Sequence, residues 1–202
     1  VSPNTDPAAQ SARRRTQTER SNAMRAQLID AARDLFVTEG YAATSTPMIV
    51  TAAGVTRGAL YHHFADKTDL FRAVCIREAE AVGQAIEAAT QDVPEAVQAI
   101  KLGAVAYFDA MSVPGRSRLL LLDLPAVLGH AAAADPDLAD GQAQLRDGLA
   151  QAFPQAAPGE LDAMTDILSA AFDRTALAIA QGGDKDSYIT AMLTLLERSI
   201  AG

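Results

Sequence analysis

Residues 44–64 read Thr44-Ser45-Thr46-Pro47-Met48-Ile49-Val50-Thr51-Ala52-Ala53-Gly54-Val55-Thr56-Arg57-Gly58-Ala59-Leu60-Tyr61-His62-His63-Phe64, and this stretch decides the fold. Thr44 or Ser45 can cap a first short helix, and Pro47 falls in its opening turn, where a missing N–H costs little. Gly54 breaks that helix, Thr56 caps a second, and Phe64 closes it. A short helix, a tight turn with glycine and a second short helix form a helix-turn-helix, whose second helix enters the DNA major groove. Gly54 permits the turn where a Cβ would clash, and Ile49, Ala52, Val55 and Leu60 can build the small core that sets the crossing. Outward on the second helix remain Thr56, Arg57, Gly58, Tyr61 and His62, with Lys67 just beyond. Hydroxyls and lysine suit phosphates, arginine suits guanine, and tyrosine suits backbone and thymine methyl contacts. Gly58 lets the helix backbone approach DNA closely.

Outward from this core the period is helical throughout. Residues 1–15 are rich in Pro, Ser, Asn and Ala without periodicity and are expected to be disordered. Thr16 and Glu19 have capping-box spacing, so the first helix is expected to start at Thr16, or as late as Asn22. Its stripe is Met24, Leu28, Ala31, Ala32, Leu35 and Phe36, and Gly40 ends it. A longer fourth helix follows Ala65-Asp66 with Leu70, Phe71, Val74, Cys75, Val82 and Ile86 inside. Pro94 heads the next, Leu119–Leu122 opens a segment that Pro125 kinks or ends, and Asp135-Pro136 opens one reaching about Phe153. Pro158 starts a helix striped by Leu161, Met164, Leu168, Phe172 and Ile179. Gly182-Gly183 ends it, and Asp184 caps the last, striped by Ile189, Met192, Leu193, Leu196 and Ile200. No window alternates with period two, so the chain is all-α, with about nine helices.

The chain has 202 residues and a net charge of −8, which argues against a protein coated in nucleic acid or lying on an anionic membrane. The charge is unevenly spread: residues 1–80 carry ten basic and nine acidic side chains, residues 81–202 seven and sixteen. Such asymmetry points to a small head and a larger body with different partners. The head's cations include Arg13, Arg14, Arg15, Arg20 and Arg25, an arm able to reach the minor groove or phosphates beside a helix-turn-helix. A single cysteine, Cys75, excludes an internal disulfide framework. Val1 to Arg20 has no apolar core, and Leu119 to Leu128 is too short to span a bilayer. A soluble, cytoplasmic protein is expected.

Leu35-Phe36, Gly40-Tyr41, Thr44-Ser45, Ile49, Ala53-Gly54-Val55, Gly58, Leu60-Tyr61, His63-Phe64, Lys67 and Leu70-Phe71 together resemble the TetR family of bacterial repressors. The resemblance covers roughly residues 20–75. It implies a basic arm over 1–15, a DNA-binding head over 16–66, and a helical body over 67–202 that binds a small molecule and forms a homodimer through the last two helices. A ligand-responsive repressor on a palindromic operator is the implied activity, with the fourth helix joining head to body. Carried over by position, Thr44 and Ser45 match the phosphate-contacting start of the helix before the turn. Thr56, Arg57 and Gly58 match the base-reading start of the recognition helix, Tyr61 and His62 its DNA-facing middle, and Lys67 a phosphate anchor. Pro47-Met48 and Val50 depart from the family pattern, and both members of the first pair are left out of the contact set.

The candidate effector site is apolar: Tyr107, Phe108, Met111, Leu122, Met164, Leu168 and Phe172, each of which would also serve as ordinary core. Asp123, the odd polar residue in the leucine-rich segment, could anchor a cationic or hydroxylated ligand or face solvent at a bend. Such a wall favours a hydrophobic or aromatic effector. His62 and His63 are adjacent and point to different faces, so no metal is expected, and no cofactor either. Cys75 reads as a small core residue, His130 receives no role, and Asp135, Asp137 and Asp140 read as caps and a solvated face. An enzyme reading lacks a nucleophile–base constellation, a phosphate loop or metal spacing. A dimeric helical interaction protein whose head has lost DNA binding remains the alternative.

Overall fold

The computed structural model describes residues 7–129, 138 and 140–200, with the side chains of 7–16, 140 and 200 outside the description. The described residues are all helical or connecting: α1 (Pro7–Thr38), α2 (Thr46–Ala52), α3 (Arg57–His63), α4 (Lys67–Thr90), α5 (Ala96–Met111), α6 (Arg116–Arg118), a π-helical turn (Leu119–Asp123), α7 (Leu124–Leu128), α8 (Asp140–Ala152), α9 (Pro158–Ala180) and α10 (Lys185–Ile200). With 116–128 counted as one continuous run, the described residues form nine helices. Two compact units divide the chain, Val1–Val74 and Cys75–Gly202, so the division falls inside α4 rather than ahead of it at residue 66.

In the first unit, α1 begins at Pro7, which corrects the expectation of disorder over residues 7–15 and of a start at Thr16 or Asn22. Ala8, Ala9, Gln10, Ala12 and the three arginines are strong helix formers, and proline is tolerated in a first turn. Residues 1–6 and the side chains of Arg13, Arg14 and Arg15 lie outside the described residues. Leu28, Ala32 and Phe36 of α1, Ile49 of α2, Leu60 of α3, and Leu70 and Phe71 of α4 are fully buried. Phe36 and Phe71 meet edge to face at 5.2 Å, and Tyr41 closes the cluster at 4.9 Å from Phe71. Ala52, expected in this core, is exposed, and Val55 is half-buried.

The turn between α2 and α3 is a Schellman motif. Gly54, at φ +65°, donates to Thr51 O, and the Val55 N–H reaches back to Val50 O. The two bonds satisfy carbonyls that a helix end leaves orphaned, and the left-handed residue between them favours glycine.

The second unit centres on Val82, Ile86, Ile100, Ala104, Phe108, Met111, Leu149, Leu161, Phe172, Met192 and Leu196, drawn from α4, α5, α8, α9 and α10. Asp184 caps α10 as expected, accepting the Ser187 N–H at 2.9 Å. Pro125 lies two residues past the end of a π-helical turn. Lacking an N–H, it cannot donate into the ladder, and the wider π turn ahead of it lets the helix continue to Leu128. Arg116, buried at the start of α6, donates to Glu78 Oε2 and Ala110 O at 2.9 Å each, fixing this run to α4 and α5. The expected caps Asp135-Pro136 and His130 fall outside the described residues.

Gly54→Ala is expected to destabilise the first unit by about 1–2 kcal/mol, because an L side chain is strained in the left-handed region. Urea denaturation followed by circular dichroism reads this, and an unchanged midpoint would contradict the turn geometry.

Candidate functional site

The helix-turn-helix presents its second helix with one face in and one face out. Leu60 is fully buried, whereas Thr56, Arg57, Gly58, Tyr61 and His62 are all exposed. Thr56 is the N-cap of α3, with its Oγ1 accepting the Ala59 N–H at 3.2 Å. Ser45 is the N-cap of α2, accepting the Met48 N–H. In both residues the cap uses an oxygen lone pair and leaves the hydroxyl proton available to an outside acceptor such as phosphate. Arg57 and Tyr61, one turn apart, stack with the guanidinium 5.5 Å from the ring centroid. The Tyr61 phenol is held below its usual pKa, first by a hydrogen bond from Thr46 and then by Arg57. A Cβ built on Gly58 would meet only Thr56 Oγ1 at 3.9 Å, so nothing within the chain requires glycine there.

Two expected contacts have internal duties instead. Thr44 is buried, with 1% of its surface exposed, and its hydroxyl donates to Gly40 O at 2.8 Å and Leu35 O at 3.2 Å. This side chain seals the end of α1 and is removed from the candidate phosphate contacts. Lys67 donates to Tyr41 O at 2.8 Å and Thr44 O at 2.9 Å, with its ammonium 4.1 Å from the Tyr41 ring centroid. Two of its three N–H groups are therefore committed, and one is left for an outside anion. His62 and His63 have rings 5.1 Å apart. His63 is half-buried, and its pKa is lowered by burial, by His62 and by Arg25. Among the described residues no group of three His, Cys, Asp or Glu could hold a metal ion.

The second unit holds a cavity of about 550 Å³ between α4, α5, the 116–128 run, α8 and α9. Of the expected effector residues, Tyr107, Met111 and Phe172 line it. Phe108, Leu122, Asp123, Met164 and Leu168 do not. Phe108 is buried in the core at 5.6 Å from the Phe172 ring, and Met164 and Leu168 pack against the same core. Leu122 is 47% exposed on the far side of the π-helical turn. Asp123 pairs with Arg118, whose Nε lies 3.3 Å from an Oδ2 that accepts no hydrogen bond.

The cavity's polar centre is a pair of which only one member was expected. Tyr107 donates its hydroxyl to Asp173 Oδ1 at 2.7 Å. Burial raises the Asp173 pKa, which the Tyr107 hydrogen bond partly offsets. Burial, reinforced by the Asp173 charge, pushes the Tyr107 phenol well above its ordinary value, so it acts as a neutral donor. Gln144 also lines the cavity. Its Nε2 donates to Gly83 O at 3.2 Å, which fixes the amide orientation, and its Oε1 is buried without a donor. Cys75 is buried, and its thiol is pushed up to about 12 by burial, then by Asp123 and Glu78, so it is chemically quiet.

Residues 28–74 match the family profile described as bacterial regulatory proteins, tetR family. Residues 97–202 match the tetracyclin repressor-like C-terminal domain. The chain belongs to the TetR family of bacterial transcriptional regulators. Among TetR-family relatives, the HTH-type transcriptional repressor Rv1474c of Mycobacterium tuberculosis is 28% identical over 88% of this chain and 93% of its own. The HTH-type transcriptional regulator AcrR of Shigella flexneri is 53% identical over 47 residues, which span 23% of this chain and only 22% of that protein. The crystal structure of a TetR-family regulator from Pectobacterium atrosepticum superimposes with a TM-score of 0.65 at 28% identity, covering 89% of this chain and 93% of that one. No described helix of this TetR-family chain is long and apolar enough to cross a membrane.

Sequence reasoning missed Thr46, Asp173 and Gln144. Thr46 had a signal, since it sits one turn before Val50 on the helix facing the recognition helix. Gln144 had none, because it lies among many polar neighbours, and Asp173 had none, because beside Arg174 it reads as an ordinary surface charge. Thr44→Val is expected to cost about 0.5–1.5 kcal/mol of stability through the buried side-chain hydrogen bond to Gly40 O and Leu35 O that it removes. It should leave the salt dependence of DNA binding unchanged. Thermal unfolding and a salt titration separate the two effects, and a shallower salt slope would restore Thr44 as a phosphate contact.

Proposed function

We propose that this chain is a repressor that binds a palindromic operator as a homodimer and releases it when a small molecule occupies the body cavity. The outward face of α3 carries the reading: five exposed residues suited to bases and phosphates surround one buried anchor, Leu60. Gly58 strengthens it, because an unrequired glycine on an exposed helix face sacrifices helix propensity unless something outside must come close. The name of the full-length relative Rv1474c supports repression over activation.

Pairing through the last two helices is supported by large apolar side chains left outside. Ile167 on α9 is 69% exposed and Leu195 on α10 is 58% exposed, and a second copy would cover them. Two recognition helices would then lie about one DNA turn apart, roughly 34–36 Å, or a multiple of it. For the release step, α4 is continuous from Lys67 to Thr90 and lines the cavity with Ala79, Val82 and Ile86. Its first turns belong to the helix-turn-helix unit, so a ligand that shifts α4 has a covalent route to the head. About 1–3 kcal/mol of coupling suffices for such a switch.

A gel-shift titration on DNA flanking the chromosomal coding sequence tests this. A sequence-selective shift that weakens steeply with salt is expected, and no selective shift at low salt would overturn it. Ile167→Glu combined with Leu195→Glu is expected to yield monomers in light scattering and to abolish the operator shift. A dimer that survives both changes would place the interface elsewhere.

A further inference from the structure

The cavity wall has a charge pattern that the hydrophobic-effector reading does not use. Its only charged lining residues among those described are Asp147 and Asp173, and no Lys, Arg or His lines it. Asp147 is exposed, whereas Asp173 is half-buried beside the Tyr107 and Phe172 rings, 5.8 Å apart. Tyr107 is the one hydrogen-bond donor to Asp173 among the described residues, and no cation pairs with it. Gln144 adds a second acceptor, Oε1, that is buried without a donor. Folding has therefore placed a carboxylate and an amide oxygen in an apolar chamber and supplied too few donors for them.

Such an arrangement is costly in the empty protein, since a desolvated carboxylate without a counter-ion opposes folding. An apolar ligand would worsen that cost by driving out the water that solvates Asp173. An anion would meet two carboxylates and no compensating cation. A cation relieves the deficit: its charge pairs with Asp173, its N–H groups answer the open acceptors, and the two aromatic rings offer π faces. We propose that the cavity takes a protonated amine on an apolar skeleton, with Asp173 as its counter-ion. The proposal rests on the cavity being the effector site and names the chemical class that fills it.

Three probes sharing one apolar body and differing in head group test it by titration calorimetry on the full chain: 4-phenylbutylamine, 4-phenylbutan-1-ol and 4-phenylbutyrate. The amine is expected to bind at least roughly tenfold more tightly than the alcohol, with the carboxylate weakest. Asp173→Asn is expected to bring the amine down to the alcohol's affinity while leaving the alcohol unchanged. It should also fold at least as stably as the parent chain, because it removes the desolvated charge. Should that variant fail to fold, the ranking of the three probes on the parent chain decides. Equal binding of the alcohol or the carboxylate, no amine binding at millimolar concentration, or an amine preference that survives Asp173→Asn would overturn the proposal. Release of operator DNA is measured separately. An amine that binds without releasing DNA contradicts the release step and leaves the ligand class standing, whereas release by the carboxylate does the reverse.

Discussion

The Lys67 ammonium, seated on the carbonyls of Tyr41 and Thr44, is the interaction on which the DNA-reading head depends. The chain leaving α1 must turn sharply at Gly40 (φ +83°) and enter α2 within a few residues, which strips several carbonyls of helical partners. Lys67 answers two of them, Tyr41 O and Thr44 O, from the first residue of α4, and the Thr44 hydroxyl adds a second donor to Gly40 O and Leu35 O, which already accept backbone N–H groups. A charge-assisted hydrogen bond contributes about 1.5–3 kcal/mol, so the pair joins the start of α4 to the α1–α2 connection strongly. The Tyr41 hydroxyl adds a 3.0 Å bond to Thr68, and its ring rests against Phe36 and Phe71. With both ends of the α2–α3 hairpin held in this way, α3 has one orientation in which Leu60 is buried and Arg57, Tyr61 and His62 are outward.

The caps, the glycine turn and the apolar stripes were legible in the sequence because each is set by neighbours within one helical turn. Ser45, Thr56 and Asp184 cap the helices they were expected to cap, and Gly54 has the left-handed φ its turn demands. The internal hydrogen bonds of Thr44 and Lys67 were not legible in the sequence, for a common reason. A donor's type shows in the sequence, but whether a buried carbonyl has already claimed it is settled by contacts up to 26 residues away. The same applies to the cavity carboxylate. Asp123 stands out against a run of leucines, a contrast that sequence displays, yet it lies outside the cavity beside Arg118. Asp173 stands next to Arg174 in α9, where it reads as one half of an ordinary charged pair, and only the packing of α5 against α9 brings Tyr107 to within 2.7 Å of it. The start of α1 was not legible because the sequence of residues 7–15 has helix formers but no periodic apolar stripe, and periodicity detects only the latter.

Charge now has distinct meanings along the chain. The acidic excess of residues 81–202 disfavours phosphate there, so in the proposed reading selectivity falls to a few side chains on α3. Inside the second unit the same sign recurs in a different role, as carboxylates lining a cavity without cations among the described residues. The surface acids are held in water at little cost. Asp173 is not, and a half-buried charge left without a counter-ion among the described side chains marks where a ligand supplies what folding did not.

In the proposed function α3 reads bases with Arg57, while Lys67 and Thr44 hold it in place. The most direct measurement is the ratio of affinities for the operator and a scrambled duplex, by fluorescence anisotropy, in the parent chain and in Arg57→Ala. This ratio is expected to fall by roughly tenfold or more in Arg57→Ala, through loss of one bidentate base contact, with the thermal unfolding midpoint unchanged. A ratio that stays the same while both affinities fall together would show that Arg57 only touches phosphate, and would contradict that reading.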